Sequence, residues 1–296
     1  MNRSSKLHQA FGVDPSRRQF YSLRQSRYEA LAQEVSDLAA RAARSGLKLS
    51  VIDVGCGTGT ALRYLEAKPH FEAIILSGAD LTDHRAYKQD RYEQFYVGDV
   101  MNGYPQIPSN SFDVVICEQL LEHLTEIGVA IETLARILKP GGTLIVGVPI
   151  FPAPLHILRQ RVVPILDAIV RRKRGRGHLQ AFSLSSFLHQ MRQQHLKLVK
   201  VRGFRIVSGG ILRPLENHRW WWRFNRWLGE RVPAVCIEVQ AILEKPPELP
   251  PQDGKHAASG AINVPPLSAS LPLKGRSRAV SSRMSRSRST FSSVPA

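Results

Sequence analysis

The sequence predicts an α/β fold, a mainly parallel sheet covered by helices on both faces. Three observations predict it. Short apolar runs recur along the first half of the chain, stretches with helical periodicity fill most of the gaps between them, and the first run ends in a cluster of glycines. Strands that alternate with helices need crossover connections, which make the strands parallel and bury both faces of the sheet.

Taken in order, residues 1–20 are polar and read as a flexible arm. From Tyr21 a helical period sets in, with Tyr28, Leu31, Ala32, Val35, Leu38, Ala39 and Ala42 three or four residues apart. Gly46 supplies its stop. Leu49, Val51, Ile52 and Val54 then form a first buried strand, and similar runs follow at 73–76, 95–97, 114–117 and 143–148. Helical patterns over 60–66 and 127–138 lie between them. Beyond Pro149 the regularity loosens. Residues 155–170 form an amphipathic stretch with Pro164 as a kink, ending in the basic string Arg171, Arg172, Lys173, Arg174 and Arg176. A short helix is expected over 183–190, and strands over 196–206 and 234–243. Between those strands Trp220, Trp221, Trp222 and Trp227 are interleaved with Arg219, Arg223, Arg226 and Arg231.

Composition sets the outer limits. In 296 residues, 41 Lys and Arg against 24 Asp and Glu give a net charge of +17, which favours anionic partners or marks a solvated basic tail. From residue 245 the chain turns to Pro, Ser and Arg and cannot bury enough apolar surface to offset its chain entropy. The expected organisation is an arm at 1–20, one domain at 21–244 and a disordered tail at 245–296. Within the domain, 151–182 and 210–231 stand out as insertions. Cys56, Cys117 and Cys236 lack metal-ligand spacing and fit reduced thiols. No apolar run is long enough to span a bilayer, and the N-terminus has no signal-peptide pattern. A cytoplasmic protein is expected, peripheral to a membrane surface at most.

The most informative stretch is Val51-Ile52-Asp53-Val54-Gly55-Cys56-Gly57-Thr58-Gly59. A strand ends in an acid, and glycines then alternate before a helix. Glycine tolerates positive φ and lets a ligand approach the backbone, and ligands of open α/β sheets bind beyond the carboxyl ends of the strands. The spacing departs from the dinucleotide fingerprint, because position 60 is Thr, and it lacks the Gly-Lys-Ser/Thr of a phosphate loop.

This motif resembles that of the class I S-adenosylmethionine-dependent methyltransferases, and four further pieces are similar to that family. They are Gly78-Ala79-Asp80-Leu81, Gly98-Asp99-Val100, Ser111-Phe112-Asp113-Val114-Val115 with Leu121-Glu122-His123-Leu124 after it, and Leu138-Lys139-Pro140-Gly141-Gly142. The resemblance is strong over 49–149 and looser over the rest of 21–244. It implies a Rossmann-like, doubly wound sheet of seven strands with the last antiparallel, and S-adenosyl-L-methionine as cofactor. It implies a cofactor site of Asp53, Gly55, Cys56, Gly57, Gly59, Asp80, Leu81, Asp99 and Val100. In that family the Asp80 position serves the ribose hydroxyls and the Asp99 position the adenine amino group.

The loop after the fourth strand would face the transferred methyl, which makes Glu122 and His123 the candidate acid–base residues. Some quinone-precursor O-methyltransferases bind a metal there through E-x-x-E-H. This chain has Gln119-Leu120-Leu121-Glu122-His123, with Glu118 one residue out of register, so no metal is expected. His178 resembles a substrate-side position. The acceptor is expected to be a small molecule or an amphiphilic, lipid-linked one, methylated most readily on oxygen. The amphipathic 155–176 and the Trp/Arg segment suggest peripheral contact with an anionic membrane. The alternatives are methylation of RNA or protein, with the basic tail as a handle, and a binding protein without chemistry on the same fold.

Overall fold

The computed structural model describes residues 25–82, 91–150, 182–206 and 218–247, together with residues 23, 180 and 215. The chain divides into two units, Met1–Leu249 and Pro250–Ala296. The second lies outside the described residues, as do the expected arm, the stretch at 151–179 with His178, and nearly all of the expected tail.

The first unit is built in the order α1 (Ser26–Arg44), β1 (Leu49–Val54), α2 (Thr60–Leu65), β2 (Ile74–Asp80), β3 (Gln94–Val97), β4 (Phe112–Glu118), α3 (Ile127–Ile137), β5 (Leu138–Pro149), α4 (Leu184–Gln193), β6 (Lys197–Phe204), α5 (Arg219–Arg231) and β7 (Glu238–Glu244). The strands form one seven-stranded sheet in the order β3-β2-β1-β4-β5-β7-β6. All neighbours are parallel except β7, which runs antiparallel to both β5 and β6. The doubly wound, Rossmann-like expectation therefore holds, including its antiparallel last strand.

Each face of the sheet carries its own apolar cluster. Val51, Val114, Ile116 and Ile145 pack with Leu31, Val35 and Leu62 under α1 and α2. Ile52, Val115, Val146 and Leu243 pack with Ile131, Leu134 and Phe187 under α3 and α4. Fully burying each such side chain is worth roughly 1.5–3 kcal/mol relative to leaving it in water.

Element boundaries shift from the sequence reading where local chemistry overrides periodicity. The first helix starts at Ser26 rather than Tyr21, after Ser26 Oγ donates back to the Leu23 carbonyl. The strand read at 73–76 starts one residue later and runs on to Asp80, because Ser77, Gly78 and Ala79 pair with both β1 and β3, and Asp80 with β3, despite their low apolar content. Helix α4 is capped by Ser183, whose hydroxyl accepts from Ser186 N while Ser186 Oγ accepts from Ser183 N. Lys245, assigned by composition to the tail, is held by the fold: its ammonium donates to Asn110 Oδ1 and to the carbonyls of Ala135 and Leu138. The three thiols are free and buried.

Candidate active site at the carboxyl end of the sheet

The parallel strands β3, β2, β1 and β4 all finish at one edge, and the sequence-predicted residues follow directly from those ends. After β1, the turn at Gly55, Gly57 and Gly59 takes φ of 74°, 49° and 70°. All three lie in the left-handed region that a side chain disfavours by roughly 1–2 kcal/mol. The turn is tied to β2: Gly55 N donates to the Ala79 carbonyl at 2.7 Å, and Gly57 N donates to Asp80 Oδ2 at 2.7 Å. β2 is tied to the end of β3, where Gly98 N donates to the Asp80 carbonyl at 3.0 Å. Asp99 caps the 3-10 turn Val100–Asn102 by accepting from Met101 N at 2.9 Å. Gly57, Asp80 and the start of the Asp99 turn thus form one connected rim.

The remaining predicted residues differ in what they can offer. Val100 is buried in the core under α3 and Cys56 in the core under α2, so neither side chain is presented to a ligand. Burial, and after it Asp53 and Asp80, push the Cys56 thiol up, which makes it a packing group rather than a nucleophile. Leu81 is 65% exposed at the mouth of the rim.

Asp53 is buried beside the turn, and its Oδ2 has no hydrogen-bond partner among the described residues. Burial first, and then Glu118 and Asp80, push its carboxyl up to about 7. The register explains the repulsion. Asp53 pairs with Gly78 and Ile116, so Asp53, Asp80 and Glu118 lie on the same face of the sheet.

Glu118 begins a row that periodicity does not show. It pairs with Gly147, Gly147 with Gln240, and Gln240 with Arg202, a line across β4, β5, β7 and β6. A Cβ on Gly147 would overlap the Glu118 carboxylate, so glycine is what lets Glu118 reach across β5 to Gln240, which donates to it. Arg27, from the first turn of α1, closes the row from above. Its guanidinium lies 3.3 Å from Glu118 and 3.1 Å from Glu238, and its carbonyl accepts from Gln240. Arg205 holds the other oxygen of Glu238 at 2.8 Å. Burial opposes the Arg27 charge, but Glu238, then Tyr28 and Glu118, more than offset it and hold the guanidinium above its ordinary value. Burial pushes Glu118 up to about 7 even with Arg27 and Gln240 working against it. A carboxylate so engaged is not available to a metal.

The two acid–base candidates separate. They share the 3-10 turn Leu121–His123 after β4, yet Glu122 is fully buried and His123 is exposed. Neither carboxylate oxygen of Glu122 has a hydrogen-bond partner among the described residues, and His123 Nε2 stands off at 3.9 Å. Burial dominates in pushing Glu122 up to about 7, with its own backbone N–H pulling the other way. Its carbonyl accepts from Gln180 N, which fastens the segment before α4 over this turn.

The sequence reading missed Arg27, Gln240 and the part played by Gly147. A signal for Arg27 was present: it occupies the stripe shared by Leu31 and Val35, where an unpaired charge would be costly.

These features fit S-adenosylmethionine, which carries positive charge at its sulfonium and its ammonium. The turn leaves open space above its backbone, since among the described residues a Cβ on Gly57 would meet nothing within 4 Å. Asp80, even while holding the turn, keeps acceptor capacity for hydroxyls. Asp53 offers an unpartnered carboxylate oxygen close by.

Comparison with known proteins agrees. A family model described as a methyltransferase domain matches residues 23–201. The chain is 33% identical over 135 residues to a sterol 24-C-methyltransferase of Neurospora crassa, covering 42% of this chain and 33% of that protein. It is 30% identical over 168 residues to the 27-O-demethylrifamycin SV methyltransferase of Amycolatopsis mediterranei, covering 52% and 55%. It therefore spans about half or less of the length of these relatives. The solved structure of a putative sarcosine dimethylglycine methyltransferase from Galdieria sulphuraria superposes with a TM-score of 0.50 at 16% identity, over 76% of this chain and 87% of that one, a likeness of fold. The family model covers more than half of the 296 residues, and the chain belongs to the class I S-adenosylmethionine-dependent methyltransferases.

Proposed function

We propose that this chain transfers a methyl group from S-adenosylmethionine to an oxygen nucleophile of a small-molecule or lipid-linked acceptor, with Glu122 as general base. The observation that carries this reading is the Glu122 carboxylate: buried, without a hydrogen-bond partner among the described residues, and poised at about 7. When bound, the cofactor supplies an electrophilic methyl on sulfur. The turn at 55–59 and Asp80 and Asp99 bind and orient it, and Asp53 balances its positive charge. Glu122 would take the proton of the acceptor hydroxyl as that oxygen gains the methyl, and the bound cofactor would supply the methyl and keep the electron pair of the bond it gives up. Orientation contributes most, roughly 7–11 kcal/mol of barrier, and the base a further ~10²–10⁴-fold. Oxygen is favoured because a carboxyl poised near neutrality matches the need to take a proton at neutral pH. One relative's printed name specifies carbon and another's specifies oxygen, so ancestry leaves the atom open.

The test is methyl transfer from labelled cofactor to a panel of phenols and catechols, wild type against Glu122→Gln. The rate should rise with pH through about 7 in the wild type. In the variant it should fall at least ~10²-fold and lose that limb, with cofactor binding by calorimetry unchanged. A variant with an unaltered pH profile overturns the assignment of the base. Label that enters only RNA or protein when host extract is offered overturns the acceptor class.

A further inference from the structure

We propose that the outer face of α5 docks this protein on an anionic phospholipid surface. This goes beyond the methyl-transfer reading and does not depend on which acceptor is used. The inner face of the helix is fully committed. Asn225 and Gly229 are buried, Asn225 Oδ1 accepts from Ile206 N, Gly229 lies against the backbone of Gly203, and the Arg226 guanidinium covers the Phe204 ring at 4.6 Å. The outer face has no such partner among the described residues. Trp220, Phe224 and Trp227 are 57%, 42% and 49% exposed, at the four- and three-residue steps that put them on one side.

Charge on the same face identifies the occupant. Arg219, Arg223 and Arg231 are exposed and make no ion pair with the described residues, while the only acid of the helix, Glu230, is taken by Arg226 at 3.1 Å. A row of aromatic rings flanked by guanidinium groups suits headgroup depth, where rings sit at the apolar boundary and the cations meet phosphate. The helix is neither long nor apolar enough to cross.

A nucleic acid is the weaker match for a geometric reason. Binders of single strands need open ring faces for bases, but here the rings cover one another. Trp221 and Phe224 stack at 5.7 Å, Phe224 and Trp227 at 6.1 Å, and the Arg231 guanidinium lies over Trp227 at 4.5 Å.

Topology gives the docking a purpose. β6 runs parallel to β1 and β4, so the connection that carries α5 leaves from the carboxyl end of the sheet, the same end as the 55–59 turn and Glu122. A bilayer against α5 would lie beside the edge where the acceptor enters.

All four tryptophans of the chain fall within α5, so intrinsic fluorescence reports this helix alone. The full chain is mixed with vesicles of phosphatidylcholine containing phosphatidylglycerol, with brominated acyl chains as quencher. We expect quenching of the tryptophan emission, weakened at least tenfold in apparent affinity when phosphatidylglycerol is omitted. Arg219→Gln with Arg223→Gln should lose that preference. Trp220→Ala with Phe224→Ala and Trp227→Ala, all solvent-facing, should keep the unfolding midpoint of the wild type and lose at least tenfold in co-sedimentation. Three outcomes overturn the proposal. One is co-sedimentation without quenching, which assigns binding to other basic segments. Another is quenching by single-stranded RNA with no response to vesicles. The last is self-association that the triple substitution abolishes, with no response to vesicles.

Discussion

At the carboxyl ends of β1 and β2 the edge is mostly backbone: three glycines in left-handed geometry, two of whose amides, Gly55 and Gly57, bond to Ala79 and Asp80 at the end of the next strand. Along β4, β5 and β7 it is made of side chains, where Glu118 crosses a glycine to Gln240 and is clamped by Arg27 from a helix far away in sequence. The first half presents bare backbone and open space. The second is a buried charge network in which Arg27 and Arg205 face Glu118 and Glu238, with Asp53 and Glu122 nearby and unpartnered at one or both oxygens. Backbone amides do not titrate, whereas carboxylates pushed up to about 7 do. On the proposed reading, the difference would put cofactor recognition on the first half and proton handling on the second.

The sharpest way to break this contrast is Arg27→Met. Removing one partner of a buried ion pair strands the other charge, at a cost of roughly 3–5 kcal/mol. The cost should depend on pH. Glu118, pushed up to about 7 when folded against the ordinary 4.5, stabilises the fold most when protonated and loses that contribution as pH rises through its folded value. Without Arg27 its ionisation becomes harder still. Urea unfolding should therefore show the full penalty near pH 8 and a markedly smaller one near pH 5.5. An equal penalty at both would mean that Arg27 acts by packing alone, and the contrast between the halves would be lost.

The backbone half is tested by Gly57→Ala. The new Cβ meets no protein atom within 4 Å, so the fold should lose only the roughly 1–2 kcal/mol of a left-handed alanine at φ 49°. The methyl group does enter the space above the turn. Calorimetry should show S-adenosylmethionine bound at least about tenfold more weakly, a change of ~1.4 kcal/mol. Unchanged affinity would remove the turn from the cofactor site.

This contrast also separates what could be read in the sequence from what could not. The turn, Asp80 and Asp99 were legible because each lies within a few residues of a strand end, and a backbone site is encoded locally by glycines and a neighbouring acid. The mainly parallel sheet followed from the same alternation, and its seven strands with the last antiparallel followed from the family resemblance. The Glu118–Gly147–Gln240–Arg27 constellation was illegible because its members are spread from the first helix to the last strand. Only register brings them into line, and a shift of one residue would turn Glu118 to the other face. The adjacent pair Glu122 and His123 looked equivalent as letters. The 3-10 turn sends one inward and the other out, and nothing in the residue types decides which. The helical nature of 219–231 was hidden for a different reason: five bulky aromatics suppress the helical signal, and packing against β6 supplies what propensity lacks.

The smallest expected effect lies where the two halves meet. Asp53 belongs by sequence to the glycine motif and by contact to the acid network, so Asp53→Asn should pull stability and binding in opposite directions. Its carboxyl, at about 7 in the fold, stabilises the protein fully below the ordinary carboxylate range and loses that contribution as pH rises through 7. Asparagine has no charge to lose and no repulsion with Glu118 or Asp80. Near pH 8 the variant should be more stable than the wild type by about 1 kcal/mol, and the gap should close only as pH falls to the ordinary carboxylate value of 3.8, where each presents a neutral group of similar shape. Cofactor affinity should move the other way, weakening several-fold near pH 8 where the carboxylate would have balanced a cationic ligand. A variant less stable at pH 8 would show that the unpartnered oxygen is satisfied by something the fold needs. A variant that binds the cofactor as well as the wild type would confine Asp53 to the network and leave the rim to the backbone and Asp80 alone.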